Sequence, residues 1–217
     1  MSDIRYNSWL HRSGTGGVYQ DSSGKVGIGS SVPGRNLVIE GAAHQTGLII
    51  HTAGNHSTAI DMDSNRSSAA GGLAEINFKW NGTGVGQIGA YSGSDTTNKD
   101  DGHIYFGTAS AGTVAERLRI DSSGRLLLGT TTEGQAGADD LTIATSGATG
   151  ITVRSGTSSN GNLFFSDGTS GADEYRGYVQ YSHNGDRLVL GTGGVDRVTI
   201  DNAGNTNISG VCTATSF

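Results

Sequence analysis

The sequence predicts an all-β protein, and three observations carry that expectation. Apolar residues alternate in short runs, small polar residues and glycine punctuate the runs, and one turn-and-strand pattern returns at Asp21, Asp121 and Asp201. The expected architecture is an elongated, intertwined homotrimeric β fibre built from short antiparallel strands.

The elements follow in order. DSSGKVGIG at Asp21–Gly29 returns as DSSGRLLLG at Asp121–Gly129 and, degraded, as DNAGNTNISG at Asp201–Gly210. The intervening stretches also correspond. NLVIEGAAHQTGLIIHTAG near Asn36 resembles DLTIATSGATGITVRSG near Asp140, QIGAYS near Gln87 resembles YVQYS near Tyr178, and IYFGTA with ERLRID resembles LVLGTG with DRVTID. Val26 and Ile28, Leu118 and Ile120, Leu126 and Leu128, and Val198 and Ile200 each sit two apart, which is the strand period. SSG, NG, DG and GTG between runs supply the positive-φ residues of tight turns. AGTVAERLRI at Ala111–Ile120 offers a helical alternative, since Val114, Leu118 and Arg117 could share a face. Its second copy, GGVDRVTI, is β-branched at matching places and argues for a strand. The divisions read from the repeat are 1–20 as a leading segment, 21–120 and 121–200 as two β modules, and 201–217 as a terminal strand and the start of a further repeat.

Composition says how such modules must be stabilised. Of 217 residues, Leu, Ile, Val and Phe together number 43, just under a fifth, whereas Gly, Ser, Thr and Asn number 98. A conventional enzyme domain of this length needs a richer core. The net charge of −6 and the single Pro33 argue against disorder, which goes with high charge and abundant Pro. Short strands with one apolar face gain cover by stacking on neighbours or pairing with other chains. Three chains about one axis would use the scattered glycines where backbones crowd and leave no free sheet edge. A single-chain β-solenoid is the alternative, though solenoids keep a tighter period.

The pattern D-S-S-G-x-hydrophobic-x-hydrophobic-G-T/S, preceded by ERLRI at Glu116–Ile120, resembles the repeats of bacteriophage tail fibres, particularly those of phages infecting marine cyanobacteria. The opening SWLHRSGTGGV at Ser8–Val18 and the closing GVCTATSF at Gly210–Phe217 are similar to segments of such fibres. The resemblance implies a non-enzymatic, homotrimeric virion component, assembled in the host cytoplasm and attached at its N-terminal end to other tail or virion proteins. A shaft or connector supporting host attachment is the role expected. The alternatives are a receptor-binding or glycan-binding fibre module and, further off, a polysaccharide depolymerase.

Chemical motifs are weak beside this reading. GVGQIG at Gly84–Gly89 has the G-x-G-x-x-G form, but no helical pattern follows, so a glycine-rich turn is expected rather than a dinucleotide site. DMDSNRS at Asp61–Ser67 begins like a calcium loop, yet Arg66 and Gly72 stand where glycine and a bidentate glutamate are required. GTGGVDRV around Asp196 half resembles a calcium-binding nonapeptide, and a solvated turn is expected at both places. The histidines His11, His44, His51, His56, His103 and His183 lack ligand spacing, although one facing a threefold axis would become three. Cys212 has no basic neighbour to activate it, and as the lone cysteine it excludes an intrachain disulfide. No elbow serine motif and no P-loop occur.

The adjacent acids Asp100–Asp101, Asp139–Asp140 and Asp173–Glu174 point to opposite faces if they lie in strands, so none forms a catalytic pair by adjacency. No catalytic, cofactor-binding or metal-ligating residue is nominated. Aromatic rings stack on sugars, which makes Trp80, Tyr91 and Tyr175 the glycan-contact candidates, whereas Tyr178 and Tyr181 are expected to pack on the sheet. Trp9, in the leading segment, is the candidate virion anchor. The mildly acidic balance, 20 acids against 14 bases, argues against nucleic-acid binding, and no apolar run approaches the roughly 20 residues that span a bilayer. The start also lacks a basic segment followed by an apolar one, so synthesis without a signal peptide is expected.

Overall fold

The recurring D-x-x-G motif folds the same way each time. In the computed structural model, which describes residues 8–10, 17–41, 47–55 and 57–213, the Asp21 carboxylate accepts hydrogen bonds from the Ser23 and Lys25 amides, both at 2.9 Å. Asp121 does the same with Ser123 and Arg125 at 2.9 and 3.0 Å, and Asp201 with Ala203 and Asn205 at 3.0 and 2.8 Å. The backbone closes the loop identically: the amides of Gly24, Gly124 and Gly204 donate to the carbonyls of Asp21, Asp121 and Asp201. Those glycines take φ of 83°, 83° and 85°, the left-handed region a side chain resists.

Each turn folds a strand back on its predecessor. β2 (Gly17–Gln20) pairs antiparallel with β3 (Val26–Ile28), β8 (Thr113–Ile120) with β9 (Leu126–Leu128), and β14 (Val195–Ile200) with β15 (Thr206–Ile208). β3 and β9 then pair in parallel with β4 (Leu37–Ile39) and β10 (Leu141–Ile143). At Gly29 and Gly129 a Cβ would lie 2.1 and 2.5 Å from the carbonyl oxygens of Glu40 and Ala144, so glycine is what lets the parallel strand close up.

Two antiparallel meanders complete the chain: β5 (Gly72–Trp80), β6 (Thr83–Ser92) and β7 (Gly102–Ser110) leading into β8, and β11 (Asn160–Phe165), β12 (Gly177–Ser182) and β13 (Arg187–Thr192) leading into β14. They share a register and an irregularity, since both ladders slip at a bulge, after Phe106 in one and after Leu190 in the other. With β1 (Ser8–Leu10) the sheets are β1-β2-β3-β4, β10-β9-β8-β7-β6-β5 and β11-β12-β13-β14-β15. The first lies in the unit Met1–Asn65 and the other two in the unit Arg66–Phe217.

The all-β, largely antiparallel class agrees with expectation, and the ambiguous segment after Ala111 is strand β8. Three details differ from short antiparallel strands alone. β5, β6 and β7 run for nine, ten and nine residues, two strand pairs are parallel, and Gly171–Tyr175 forms a short 3-10 helix. The long strands escaped notice because GVGQIG, expected as a turn, is the middle of β6, where glycines hide the alternation.

Very little is buried. Tyr105, Leu127, Tyr178 and Val189 are the buried hydrophobic residues among those described. The tyrosines lie flat over glycines of the next strand: a Cβ on Gly89 would sit 2.4 Å from the Tyr105 ring, and one on Gly191 2.0 Å from Tyr178, whose hydroxyl donates to Asp196. Gly191→Ala is therefore expected to destabilise the second meander by about 1–3 kcal/mol, read as a lowered midpoint in denaturant. The two-residue hairpins supply the opposite test. Asn81–Gly82 and Gly193–Gly194 suit their paired positive φ angles, but Ala111 is held at φ 52°. Ala111→Asn is expected to stabilise by about 1 kcal/mol, seen as a higher thermal midpoint.

Candidate functional site

Cross-strand pairs place their side chains on one side of a sheet, so the registers decide which residues share a face. One row runs through all six strands of the central sheet: Ile76, Ile88, Phe106, Leu118, Leu128 and Ile143. Two residues along, Ala74, Ala90, Ile104, Ile120, Leu126 and Leu141 form a second. The five-stranded sheet repeats the arrangement with Leu163, Val179, Leu190, Val198 and Ile208. These rows are open. Ile104 is 50% exposed, Phe106 39%, Leu141 51%, Leu163 58% and Leu190 42%.

The opposite face is polar and pairs much of itself internally, although the Tyr105 hydroxyl and His103 Nε2 are buried there without a hydrogen-bond partner among the described residues. On the central sheet it carries Asn77, Gln87, Glu75, Tyr105, Glu116 and Arg119. The Gln87 amide donates to Asn77 at 3.0 Å, Asn77 donates to Glu75 at 3.3 Å, and Arg119 grips Glu116 through two bonds of 2.6 and 2.8 Å. On the second sheet Gln180 donates to Asn162 at 2.9 Å. A one-sided antiparallel sheet ordinarily hides its apolar side and wets its polar one. Here neither apolar side is hidden by the described residues of its own unit.

Two further features leave apolar groups open. The edge strand β11 exposes Leu163, Phe164 and Phe165 in succession. The stretch 150–155 carries exposed Ile151 and Val153, belongs to no strand, and makes no backbone–backbone hydrogen bond among the described residues. An apolar trough of about 280 Å³ lies between Val153 and the open face at Leu163, Val179 and Leu188.

The residues singled out by sequence are not brought together. Trp80 ends β5 at the hairpin tip and is 79% exposed. Tyr91 sits at the other end of the same hairpin, about 27 Å away along the strands, stacked on Tyr105 with ring centroids 4.8 Å apart. Tyr175 closes the 3-10 helix beside Phe164 at 6.2 Å. Tyr178 is buried on its sheet and Tyr181 is partly exposed on the open face. Trp9 lies in β1 opposite Val18, while the remainder of the leading segment before residue 17 lies outside the described residues, as do His11, His44, His56 and the end beyond residue 213.

Asp101 is turned to structural use, accepting the Ser94 and Asp95 amides at 2.8 and 3.1 Å. Asp139 holds Arg125 at 3.0 Å, and Asp173 lies 3.3 Å from Arg176. Residues 61–66 are exposed and form neither a turn nor a strand, whereas Gly193–Gly194 is the β13–β14 hairpin turn. Cys212 is exposed. Among the described residues no three His, Cys, Asp or Glu side chains are grouped to hold a metal ion, and no helix is long and apolar enough to cross a membrane.

Sequence reading missed the rows themselves. The alternation in IYFGT and LVLGT marks Ile104, Phe106, Leu188 and Leu190 as one-sided, but alternation alone does not say which side the chain covers.

Electrostatic shifts follow from this packing. Burial, helped by the nearby Arg119, lowers the His103 pKa and keeps the ring neutral near pH 7. Burial alone would raise Asp121, but hydrogen bonds from Arg125 and Ser123 outweigh it and hold the carboxyl below its usual range. The bond to Asp196, with burial, pushes the Tyr178 phenol up to about 12.

No family model matches the chain, and no curated protein matches it. The solved structures that are similar in part include two from one tail fibre. The carboxy-terminal domain of the bacteriophage T5 L-shaped tail fibre with its intra-molecular chaperone domain is 13% identical with a TM-score of 0.43, over 78% of this chain and 64% of that one. The carboxy-terminal domain of the same fibre is 13% identical with a TM-score of 0.39, over 79% and 93%. The match thus spans under two thirds of the first structure's length.

The lowered His103 and Asp121 values have one sign. The folded state resists protonation at both, so their stabilisation is complete above the unfolded pKa values, near 6.5 and 3.9, and is lost as pH falls through the depressed folded ones. Thermal midpoints measured from pH 7 to pH 3 should therefore fall, and Asp121→Asn should flatten the portion below pH 4. An acid limb unchanged by that substitution would contradict the assignment.

Proposed function

We propose that the chain is a structural component of a phage virion, a homotrimeric tail-fibre shaft or connector that supports host attachment. One observation carries this reading: recurring one-layer β units whose apolar sides find no cover within the chain, so that stable folding requires association. The sequence resemblance to tail-fibre repeats supplies the biological setting. In that setting the modules 21–120 and 121–200 form the rod, the leading residues 1–20 with Trp9 dock to another virion protein, and residues 201–217 begin a further fibre segment. The mechanism is mechanical. Shared burial slows unfolding and gives the stiffness needed to hold a host-contact element away from the particle.

Native mass measurement tests the reading. The expected result is three times the chain mass of 22.2 kDa, persisting on dilution to nanomolar concentration. A compact single chain that melts cooperatively at that dilution would overturn it. Antibody against the chain should then label intact particles along a tail-attached fibre.

A further inference from the structure

We infer that the open rows of the central and five-stranded sheets are the contact surface between copies of this chain, with both apolar faces turned toward a shared axis and both tyrosine-bearing polar faces turned to solvent. The inference rests on the homotrimer reading and specifies which side of each sheet the copies use.

The area suits the assignment. Taking 4.8 Å between strands and 3.4 Å per residue, the β5–β8 face covers roughly 600 Å² and the β11–β15 face roughly 500 Å². Together they exceed the largest apolar patch of an ordinary monomer, about 300–600 Å², and exceed the about 800 Å² per partner of a stable interface. The chemistry suits it too. The rows named above carry no charged side chain; the nearest is Arg117 at the β8 bulge, which reaches the end of the open face, where its Nε donates to Thr108 at 3.1 Å, and two apolar sheet faces pack at about 10 Å by interdigitating branched side chains. The polar faces are poor interfaces by the same standard. Asn77, Gln87, Glu116 and Arg119 already satisfy one another within the chain, and burying them would gain little.

The two sheets make the argument twice. Phe106 and Leu190 hold the same place in their ladders, each just before the bulge, and each is among the exposed hydrophobic residues. A face left open by chance in one sheet would not be expected to recur, with its register, in the other.

The test reads side-chain accessibility in the native assembly. In a Cys212→Ser background, which removes the exposed natural thiol, single Ile104→Cys, Leu190→Cys and Asn77→Cys variants are treated with a maleimide before and after denaturation. Ile104 is half exposed in a lone chain, so its own fold cannot protect it. Protection of at least tenfold at positions 104 and 190, with free reaction at 77, is the expected result. Three-chain mass with equal reactivity at all three positions overturns the inference and leaves the trimer standing, whereas single-chain mass overturns both. Phe106→Asp should abolish the three-chain mass while Asn77→Asp keeps it, and loss from Asn77→Asp alone would reverse the assignment of faces. Should Phe106→Asp not fold, the labelling comparison decides by itself.

Discussion

Every feature of this protein depends on one constraint: its sheets are a single layer thick, and a single layer has no second side of its own to bury against. Most sheets resolve this with a packed helix or a second sheet. Here the polar side is covered by its own side chains lying flat, Tyr105 over Gly89 and Tyr178 over Gly191, and among the described residues the apolar side stays largely open. Backbone hydrogen bonding and turn chemistry therefore define the local structure, while in the proposed homotrimer the large apolar contribution to stability would come from association.

That division explains the composition. A chain that keeps few residues inside needs few large ones, and the glycines serve geometry. Gly24, Gly124 and Gly204 allow the same left-handed turn, and Gly29 and Gly129 admit a parallel strand whose carbonyl would collide with any side chain. Several charged residues fall on the polar side or at the turns, where Arg125 joins Asp121 and Asp139 at 2.8 and 3.0 Å, while Arg117 stands at the β8 bulge and bonds Thr108. The apolar rows are kept free of them, which is what a surface destined for burial requires.

The sequence makes the repeat, the strand class and the motif turns legible because each is local. Asp121 and Gly124 specify their turn within five residues, and Val198 and Ile200 announce a strand by spacing alone. Length was hidden where glycine replaces a marker, so β6 read as a turn at Gly84–Gly89. The parallel pairing of β9 with β10 was hidden because it joins residues across an irregular connection with no pattern of its own. The rows through Phe106 and Leu190 are invisible for a deeper reason: they depend on five or six strands holding register together, and a one-residue slip would exchange the faces. The aromatic candidates illustrate the same limit, since Trp80 and Tyr91 lie only eleven positions apart in sequence yet at opposite ends of a hairpin.

The sheets are also out of step with the sequence period, which bears on how the proposed fibre would carry load. The pattern restarts at Asp121, where a conventional modular protein would place a linker, yet β9 and β10 beyond that point complete the sheet begun by β5. The junction is thus the best-tied place in the chain. Strand β8 pairs back to β7 and forward to β9, the Asp121 turn is closed by backbone bonds, and Arg125 ties it to the connection ahead. Breaks in regular structure fall instead before the meanders, at 57–69 and 145–158, where the backbone lacks strand partners in its own chain. In the proposed homotrimer those stretches would gain most from neighbouring copies, because there the cost of ordering the chain is not offset by strand pairing within it. In the proposed fibre, stiffness would therefore be continuous across the repeat boundary and conditional on assembly within it.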